Sequence, residues 1–93
     1  MTKVYHSSKS DDWYTPAHIV AAARQVMGGI DLDPASCAAA NQTVQAGRYY
    51  TIEDDGLARP WSSRVFLNPP YSRVARWTKR LLVAYNTGEI DQA

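Results

Sequence analysis

The chain has 93 residues, 45% of them hydrophobic and 11% aromatic, which supports one folded domain at most and excludes disorder throughout. Its one cysteine excludes an internal disulfide, and its two histidines lie apart from any second ligand, so we expect no metal site. No apolar run reaches the roughly 18 residues of a membrane span, and no signal-peptide core is present, so we expect a cytoplasmic protein with no membrane partner.

The formal net charge of +1 hides an uneven distribution of charge. Residues 59–80 contain six Lys or Arg and no Asp or Glu. The same stretch contains Trp61, Tyr71 and Trp77, and basic side chains interleaved with aromatic rings suit a nucleic-acid backbone with bases nearby. Many solvated helices are equally basic, so the charge pattern alone leaves both interpretations open.

The start of the chain predicts a lead-in followed by a helix. Residues 1–10 show no period and predict a flexible segment, with one domain at 11–93. Thr15 is the predicted N-cap of the first helix and Pro16 its first residue, and the glycine pair at 28–29 predicts its end. Five apolar residues recur at helical spacing on one face of it: Ile19, Val20, Ala23, Val26 and Met27.

Three short strands are predicted in the middle of the chain. Residues 30–33 alternate apolar and acidic side chains and stop at Pro34. An Ala-rich segment at 35–47 predicts a short helix, and residues 48–52 predict the second strand. Residues 65–67 are continuously apolar, which is typical of a strand buried on both faces.

A last helix is predicted after the loop at residues 68–71. One face of it is apolar and another is basic, as in a helix packed on a core. The apolar face holds Val74, Trp77, Leu81 and Tyr85, and the basic face holds Arg73, Arg76 and Arg80.

Helices that alternate with strands in this way predict an α/β fold with a mostly parallel sheet between helices. Ligands of such sheets bind beyond the carboxyl ends of the strands. Polar, proline-containing loops follow two of the predicted strands, at residues 33–34 and 68–69. These two loops therefore predict a single binding site at one edge of the sheet.

The second of these loops reads Asn-Pro-Pro-Tyr at 68–71. Asn supplies one acceptor and two donors, each proline restricts its own φ angle, and Tyr offers a rigid ring for stacking. A plain proline turn with the ring packed on the core is the alternative interpretation. The loop alone does not distinguish a site from a turn.

Four blocks of the chain, in this order, resemble the phage-type adenine-specific DNA methyltransferases, a family of small enzymes that use S-adenosylmethionine (SAM). The resemblance extends from residue 11 to about residue 80. The blocks are Asp-Trp-Tyr-Thr-Pro at 12–16, Ile-Asp-Leu-Asp-Pro-Ala-Ser at 30–36, Asp-Gly-Leu at 55–57 with Trp61, and Asn-Pro-Pro-Tyr-Ser at 68–72.

The resemblance implies a partial Rossmann-like SAM-dependent methyltransferase sheet with flanking helices. It implies methyl transfer to the exocyclic amine of an adenine flipped out of double-stranded DNA. The Asn68 side-chain oxygen and the Pro69 carbonyl would accept the two amine hydrogens, Pro70 would stiffen the loop, and Tyr71 would stack on the base. The protein would act in the bacterial host cell of a phage or prophage.

The resemblance also implies which residues bind the cofactor and the DNA. Each cofactor residue has a plain structural alternative: a helix N-cap, a solvent-facing strand end or an acidic turn at 53–56. The implied SAM-binding residues are Tyr14, Thr15, Pro16, Asp33, Pro34, Ala35 and Asp55, and the implied DNA-binding residues are Arg73, Arg76 and Arg80.

The chain departs from the family pattern at its C-terminal end. A complete methyltransferase sheet of about seven strands needs well over a hundred residues. We therefore expect an incomplete, C-terminally truncated domain, with a continuation or a partner supplying the missing strands. One alternative is a catalytically inactive, nucleic-acid-binding remnant. Another is a protein glutamine methyltransferase, which the basic stretch at 59–80 disfavours.

Overall fold

The structure is a computed structural model, and it describes residues 14–93. The predicted lead-in at 1–10 and the beginning of the block at 12–16 lie outside the described residues. Helices and short strands alternate along the chain, which confirms the predicted α/β alternation. They are α1 (Ala17–Met27), β1 (Leu32–Asp33), α2 (Ala38–Val44), β2 (Arg48–Tyr49), β3 (Ser63–Arg64), α3 (Val74–Asn86) and β4 (Ile90–Gln92), with 3-10 turns at Gly56–Ala58 and Tyr71–Arg73.

The strands form two parallel pairs, β1 with β2 and β3 with β4. A parallel bridge between Leu32 and Val65 joins the pairs, and the Phe66 N–H donates to the Leu32 carbonyl at 2.9 Å. The strands therefore lie side by side in the order β2–β1–β3–β4. The strand β4 was not predicted, because three residues with one apolar side chain carry too little pattern.

The order of the strands decides where a ligand can bind. The chain passes from β1 through α2 to β2 on one side of β1, and then crosses to β3 on the other side. Loops that leave β1 and β3 at their carboxyl ends therefore diverge and leave a crevice between them. The residues that follow these two strands include Asp33-Pro34 and Asn68-Pro69, as the sequence predicted.

Hydrophobic side chains form two clusters around the strands. The larger cluster holds Leu32, Trp61, Val65, Trp77, Ala84 and Ile90, and the smaller holds Val20, Ile30, Val44 and Ala46. The rings of Trp61 and Trp77 are stacked with their centroids 6.2 Å apart. The first cluster thereby packs α3 against β1, β3 and β4, and the second packs α1 and α2 beside β1.

An ion pair and a close contact connect the start of β1 to β3. Asp31 accepts hydrogen bonds from Arg64 Nε at 2.8 Å and Nη2 at 3.1 Å, and from the Arg64 backbone N–H at 3.0 Å. The Arg64 guanidinium lies over the glycine pair that ends α1, where a Cβ on Gly29 would approach it to 3.0 Å. Gly28 has φ +83°, a left-handed conformation that confirms the predicted helix end.

The first helix differs from its prediction in two respects. It begins at Ala17 with Pro16 as the N-cap, and no side chain caps it, so the predicted N-cap role of Thr15 is wrong. Thr15 lies one residue before this N-cap, and its hydroxyl accepts a hydrogen bond from Asn68 Nδ2 at 2.9 Å. Of the predicted apolar face, Val20 is buried, whereas Ile19 is exposed and Val26 is 84% exposed.

The last helix follows the loop at 68–71 as predicted, but its buried face differs slightly from the predicted one. Trp77 and Ala84 are buried and Leu81 is half-buried, while the predicted core positions Val74 and Tyr85 are exposed. The buried positions are separated by four and three residues, which is the usual spacing of one helix face. None of the helices within residues 14–93 is long and apolar enough to cross a membrane.

Candidate active site

A cavity of about 700 Å³ opens at the carboxyl ends of β1 and β3. This volume lies within the range of about 300–1,000 Å³ that is typical of small-molecule sites. Its walls come from the start of α1, the loops after β1, β2 and β3, and one face of α2 and α3. The lining residues are Tyr14, Thr15, Asp33, Pro34, Ala35, Ser36, Cys37, Ala40, Val44, Thr51, Ile52, Asp55, Gly56, Leu57, Phe66, Asn68, Pro70, Ser72, Arg73 and Trp77.

Asp33 is the buried carboxylate of this cavity, with 3% of the residue exposed. Burial raises its pKa to about 6, although hydrogen bonds from the Ala35 N–H, at 3.3 Å, and from Ser36 favour the ionised form. Within residues 14–93, the ion pairs are Arg64 with Asp31 and Arg80 with Glu89, so none of these cations neutralises Asp33. A buried carboxylate of this kind favours a cationic ligand group.

The loop after β1 packs directly against the turn at Gly56–Ala58. A Cβ added to Gly56 would lie 2.0 Å from the Pro34 carbonyl oxygen, so only glycine fits there. Gly56 also accepts a hydrogen bond from Trp61 Nε1 at 2.8 Å, and this bond connects the turn to the core. Tight backbone packing therefore brings the blocks at 33–36 and 55–57 together.

The two neighbouring acids of this turn have different surroundings. Asp54 accepts hydrogen bonds from the Thr51 N–H at 2.8 Å and the Thr51 hydroxyl at 3.1 Å, and these bonds hold the pKa of Asp54 below its ordinary value. Asp55 adopts the left-handed conformation at φ 58° and lines the cavity with an exposed side chain. The turn is therefore stabilised by Asp54, which leaves Asp55 at the cavity wall.

The Asn-Pro-Pro-Tyr loop lines the same cavity as Asp33. Asn68 and Pro70 line the wall, and Asn68 Nδ2 donates to Thr15 Oγ1 at 2.9 Å. Pro69 lies between them in the chain and is not part of the wall. Tyr71 begins a 3-10 turn with 72% of the residue exposed, outside the cavity.

The start of α1 closes a third side of the cavity. Tyr14 and Thr15 line it, whereas Pro16 does not. The Tyr14 hydroxyl lies 3.5 Å from the sulfur of Cys37, which caps α2 by accepting from the Ala40 N–H. The positive end of the α1 dipole therefore lies next to the cavity.

The three arginines of the predicted DNA contact are not equivalent. Arg73 lines the cavity and Arg76 is exposed on α3. Arg80 is instead directed away, because it donates to both carboxylate oxygens of Glu89, at 2.8 and 3.0 Å, and lies 4.6 Å above the Trp61 ring. Arg80 therefore packs at the edge of the hydrophobic core, against Trp61 and Glu89, and we do not include it in the DNA contact.

Eleven of the residues that line the cavity were not among the predicted site residues, and the following five are examples. Ser36, Cys37, Leu57, Phe66 and Trp77 all contribute to the wall. Ser36 and Leu57 lie inside the matched blocks and could have been named from their neighbours. The other three depend on how α2, β3 and α3 pack, which no local pattern shows. In the described part of the chain, no group of three or more His, Cys, Asp or Glu could hold a metal ion.

Comparison with known proteins agrees with the four blocks. A family described as DNA N-6-adenine-methyltransferase (Dam) matches residues 2–88. The chain belongs to this family.

A relative of this chain is the DNA N-6-adenine-methyltransferase of Escherichia phage T1. The two are 34% identical over 74 residues, which covers 77% of this chain and 30% of the relative. The chain thus spans about a third of the length of the curated relative it matches. No solved structure matches it.

Proposed function

We propose that this chain carries the cofactor and adenine sites of a SAM-dependent, adenine-specific DNA methyltransferase on part of a Rossmann-like sheet. The observation that carries the proposal is the meeting of two loops, at Asp33 and at Asn68, around one cavity at the crevice between β1 and β3. Ligands of doubly wound α/β sheets bind at this position. Family membership supports the reaction type.

The residues present fit SAM. When bound, SAM supplies an electrophilic methyl group on a sulfonium centre. Asp33 is a buried carboxylate with no cationic partner among residues 14–93, which suits the ammonium group of the methionine end. Tyr14 and Thr15 would place the carboxylate of the same end near the start of α1, where helix N–H groups and the dipole favour an anion.

The remaining cofactor contacts would come from the opposite wall. Asp55 would accept from the adenine amine of SAM, because its exposed carboxylate lines the cavity beside Leu57. Pro34 and Ala35 would contact the cofactor, and the close packing of the Pro34 carbonyl against Gly56 would hold this loop in place. A cavity of about 700 Å³ has room for the cofactor and a base together.

The adenine would be held by the loop at residues 68–71. The Asn68 side-chain oxygen and the Pro69 carbonyl would accept the two hydrogens of the exocyclic amine, which withdraws the nitrogen lone pair from the ring. Tyr71 would stack on the flipped base, a contact worth roughly 1–3 kcal/mol, and so offset part of the cost of unstacking. Its exposed ring is available for this contact.

The DNA backbone would lie along the exposed basic face of α3. Arg76 and Lys79 on α3, and Arg73 just before it, are exposed, and no acidic residue interrupts residues 59–80. Phosphate contacts of this kind release counterions, so binding should weaken steeply with salt. The protein would act in the cytoplasm of a phage host.

The proposal is tested by methyl transfer from labelled SAM to adenine-containing duplex DNA. We expect transfer by the wild-type chain and a loss of at least about 100-fold in Asn68→Ala, because the amine loses an aligned acceptor. Asn86→Ala, the same substitution at an exposed position at the end of α3, is the matched control and should keep full activity. Equal transfer by wild type and Asn68→Ala would refute the assignment.

A second candidate function is DNA binding without methyl transfer, which the basic stretch at 59–80, with its interleaved aromatic residues, supports. Salt-sensitive DNA binding by folded protein with no methyl transfer would establish it. Transfer to a glutamine-containing peptide, with no loss of binding in added salt, would instead indicate a protein methyltransferase.

A further inference from the structure

We propose that Arg73 binds a phosphate that flanks the flipped adenine, and so belongs to the adenine site rather than to the general DNA contact. The inference rests on the proposed function and separates Arg73 from Arg76 and Lys79, which are also exposed. The observation behind it is that Arg73 is the one cationic side chain of residues 14–93 that lines the cavity, and it has no ion-pair partner in that range.

Most arginines in residues 14–93 are held by other groups of the protein and are not available to a ligand. Arg73 and Arg76 make no such side-chain contact in the same range. The held arginines and their partners are Arg24 with the Val44 carbonyl, Arg48 with Ser62, Arg59 with the Asp54 carbonyl, Arg64 with Asp31 and Arg80 with Glu89. The free guanidinium at the cavity wall is therefore that of Arg73.

The backbone of Arg73 is held next to the Asn-Pro-Pro-Tyr loop. Its N–H donates to the Pro70 carbonyl at 3.0 Å, and the Val74 N–H donates to the Tyr71 carbonyl. These bonds close the 3-10 turn between the loop and α3. Arg73 thus lies within one turn of the residues that we assign to the adenine.

A phosphate is the group that this position favours. A base that leaves the duplex stays attached to its sugar and to the phosphates on either side. When the base enters the cavity, these phosphates remain near the boundary between the cavity and solvent. Arg73 both lines the wall and is exposed, so it lies at this boundary. Its guanidinium suits a phosphate, because two N–H groups can donate to two phosphate oxygens at once.

The carboxylate of SAM is the alternative ligand for Arg73. The other charged residues of the wall are Asp33 and Asp55, which we assign to the ammonium and adenine amine of SAM. The start of α1 is assigned to the SAM carboxylate, so the cofactor leaves no anionic group for Arg73. The nucleotide does supply one.

A contact of this kind would act on base flipping. Arg76 and Lys79 do not line the cavity, and they would contact the duplex whether the adenine is stacked or flipped. Arg73 would gain its phosphate only with the flipped nucleotide, and would therefore shift the equilibrium toward that state.

The test uses mononucleotides, which need no knowledge of the target sequence. Binding of 2′-deoxyadenosine and of its 5′- and 3′-monophosphates is measured by NMR titration, with S-adenosylhomocysteine in excess to fill the cofactor site. The proteins are wild type, Arg73→Gln and the matched control Arg76→Gln. Both substitutions remove one positive charge from an exposed side chain, so they change the general field alike.

We expect one of the two monophosphates to bind wild type about tenfold more tightly than deoxyadenosine does. This gain should fall below about twofold in Arg73→Gln and persist in Arg76→Gln. No gain in wild type, or an equal gain in the two variants, would overturn the proposal. A Kd for S-adenosylhomocysteine that rises tenfold in Arg73→Gln would assign the guanidinium to the cofactor, and would also overturn it.

The same titration separates this proposal from the proposed function. A phosphate gain that is lost in Arg73→Gln, without methyl transfer to duplex DNA by wild type, would refute the proposed function and leave the phosphate site established. Methyl transfer by wild type without any phosphate gain would refute the role of Arg73 and leave the proposed function in place.

Discussion

Replacing Asp33 by Asn should stabilise the free protein at neutral pH. The carboxylate has 3% exposure, and burial raises its pKa from an ordinary 3.8 to about 6. Because this pKa is higher in the folded than in the unfolded protein, ionisation opposes folding. The penalty is absent below about pH 4, grows as pH rises to about 6, and is complete above that value.

The size of the effect follows from the same two pKa values. The gap between 3.8 and about 6 corresponds to about 3 kcal/mol at pH 7, at about 1.4 kcal/mol for each pH unit. Asn keeps an acceptor for the Ala35 N–H but brings two donors that need partners, which offsets part of the gain. We therefore expect a net stabilisation of about 1–3 kcal/mol, or a rise in Tm of roughly 4–8 °C for each kcal/mol.

The assay is urea unfolding of wild type and Asp33→Asn at pH 7 and at pH 3.5. Asp55→Asn, at an exposed carboxylate of the same cavity, is the matched control and should leave stability unchanged. The reasoning is refuted if Asp33→Asn is less stable than wild type at pH 7, or if the gain persists at pH 3.5. The same variant should bind SAM at least about tenfold more weakly, because the ammonium group loses its counter-charge.

Three further outcomes are expected. Gly56→Ala should lower the free energy of unfolding in urea by about 3 kcal/mol or more, because its Cβ would lie 2.0 Å from a backbone oxygen. The control Gly47→Ala, whose Cβ would lie 3.5 Å from its nearest atom, should cost less than about 1 kcal/mol. An equal cost for both would contradict the contact. Glu89→Gln should cost about 1–2 kcal/mol at pH 7, a value reduced for the partial exposure of the pair. Hydrogen bonds from Arg80 and from a backbone N–H lower the pKa of Glu89 from 4.5 to about 2. The stability that this ion pair contributes is therefore present above pH 4.5 and is lost as pH falls toward 2. A cost of Glu89→Gln that is the same at pH 2 and pH 7 would contradict this contribution. Arg76→Gln should weaken binding to all DNA duplexes alike, and should reduce the magnitude of the slope of log association constant against log salt concentration by about 1. An unchanged slope would exclude a phosphate contact by Arg76.

The features that could be predicted from sequence are those with a local cause. A left-handed glycine ends α1 at Gly28, and the proline at 34 ends β1, because each residue restricts the backbone where it stands. The two loops of the cavity were predicted from the alternation of helices and strands alone. Parallel strands end at the same edge of a sheet, so their loops meet without any knowledge of side-chain packing.

The features that escaped prediction depend on contacts between distant residues. Thr15 has the sequence of an N-cap, but it lies before the helix and its hydroxyl accepts a hydrogen bond from Asn68, which is distant in sequence. Arg80 lies on the predicted basic face, yet Glu89 beyond the end of the helix holds it against Trp61. In both cases the neighbouring residues in sequence indicate one role for the side chain, whereas its contact with a more distant residue gives it another.

The most direct test of the central claim is an NMR titration of the folded chain with S-adenosylhomocysteine. The account predicts saturable binding, with amide shifts concentrated at Ala35, Gly56 and the Asn68 side chain, and binding at least about tenfold weaker in Asp33→Asn than in Asp91→Asn, an exposed carboxylate on β4. Saturable binding with shifts confined to surfaces away from the cavity, or no binding by well-folded protein, would contradict it.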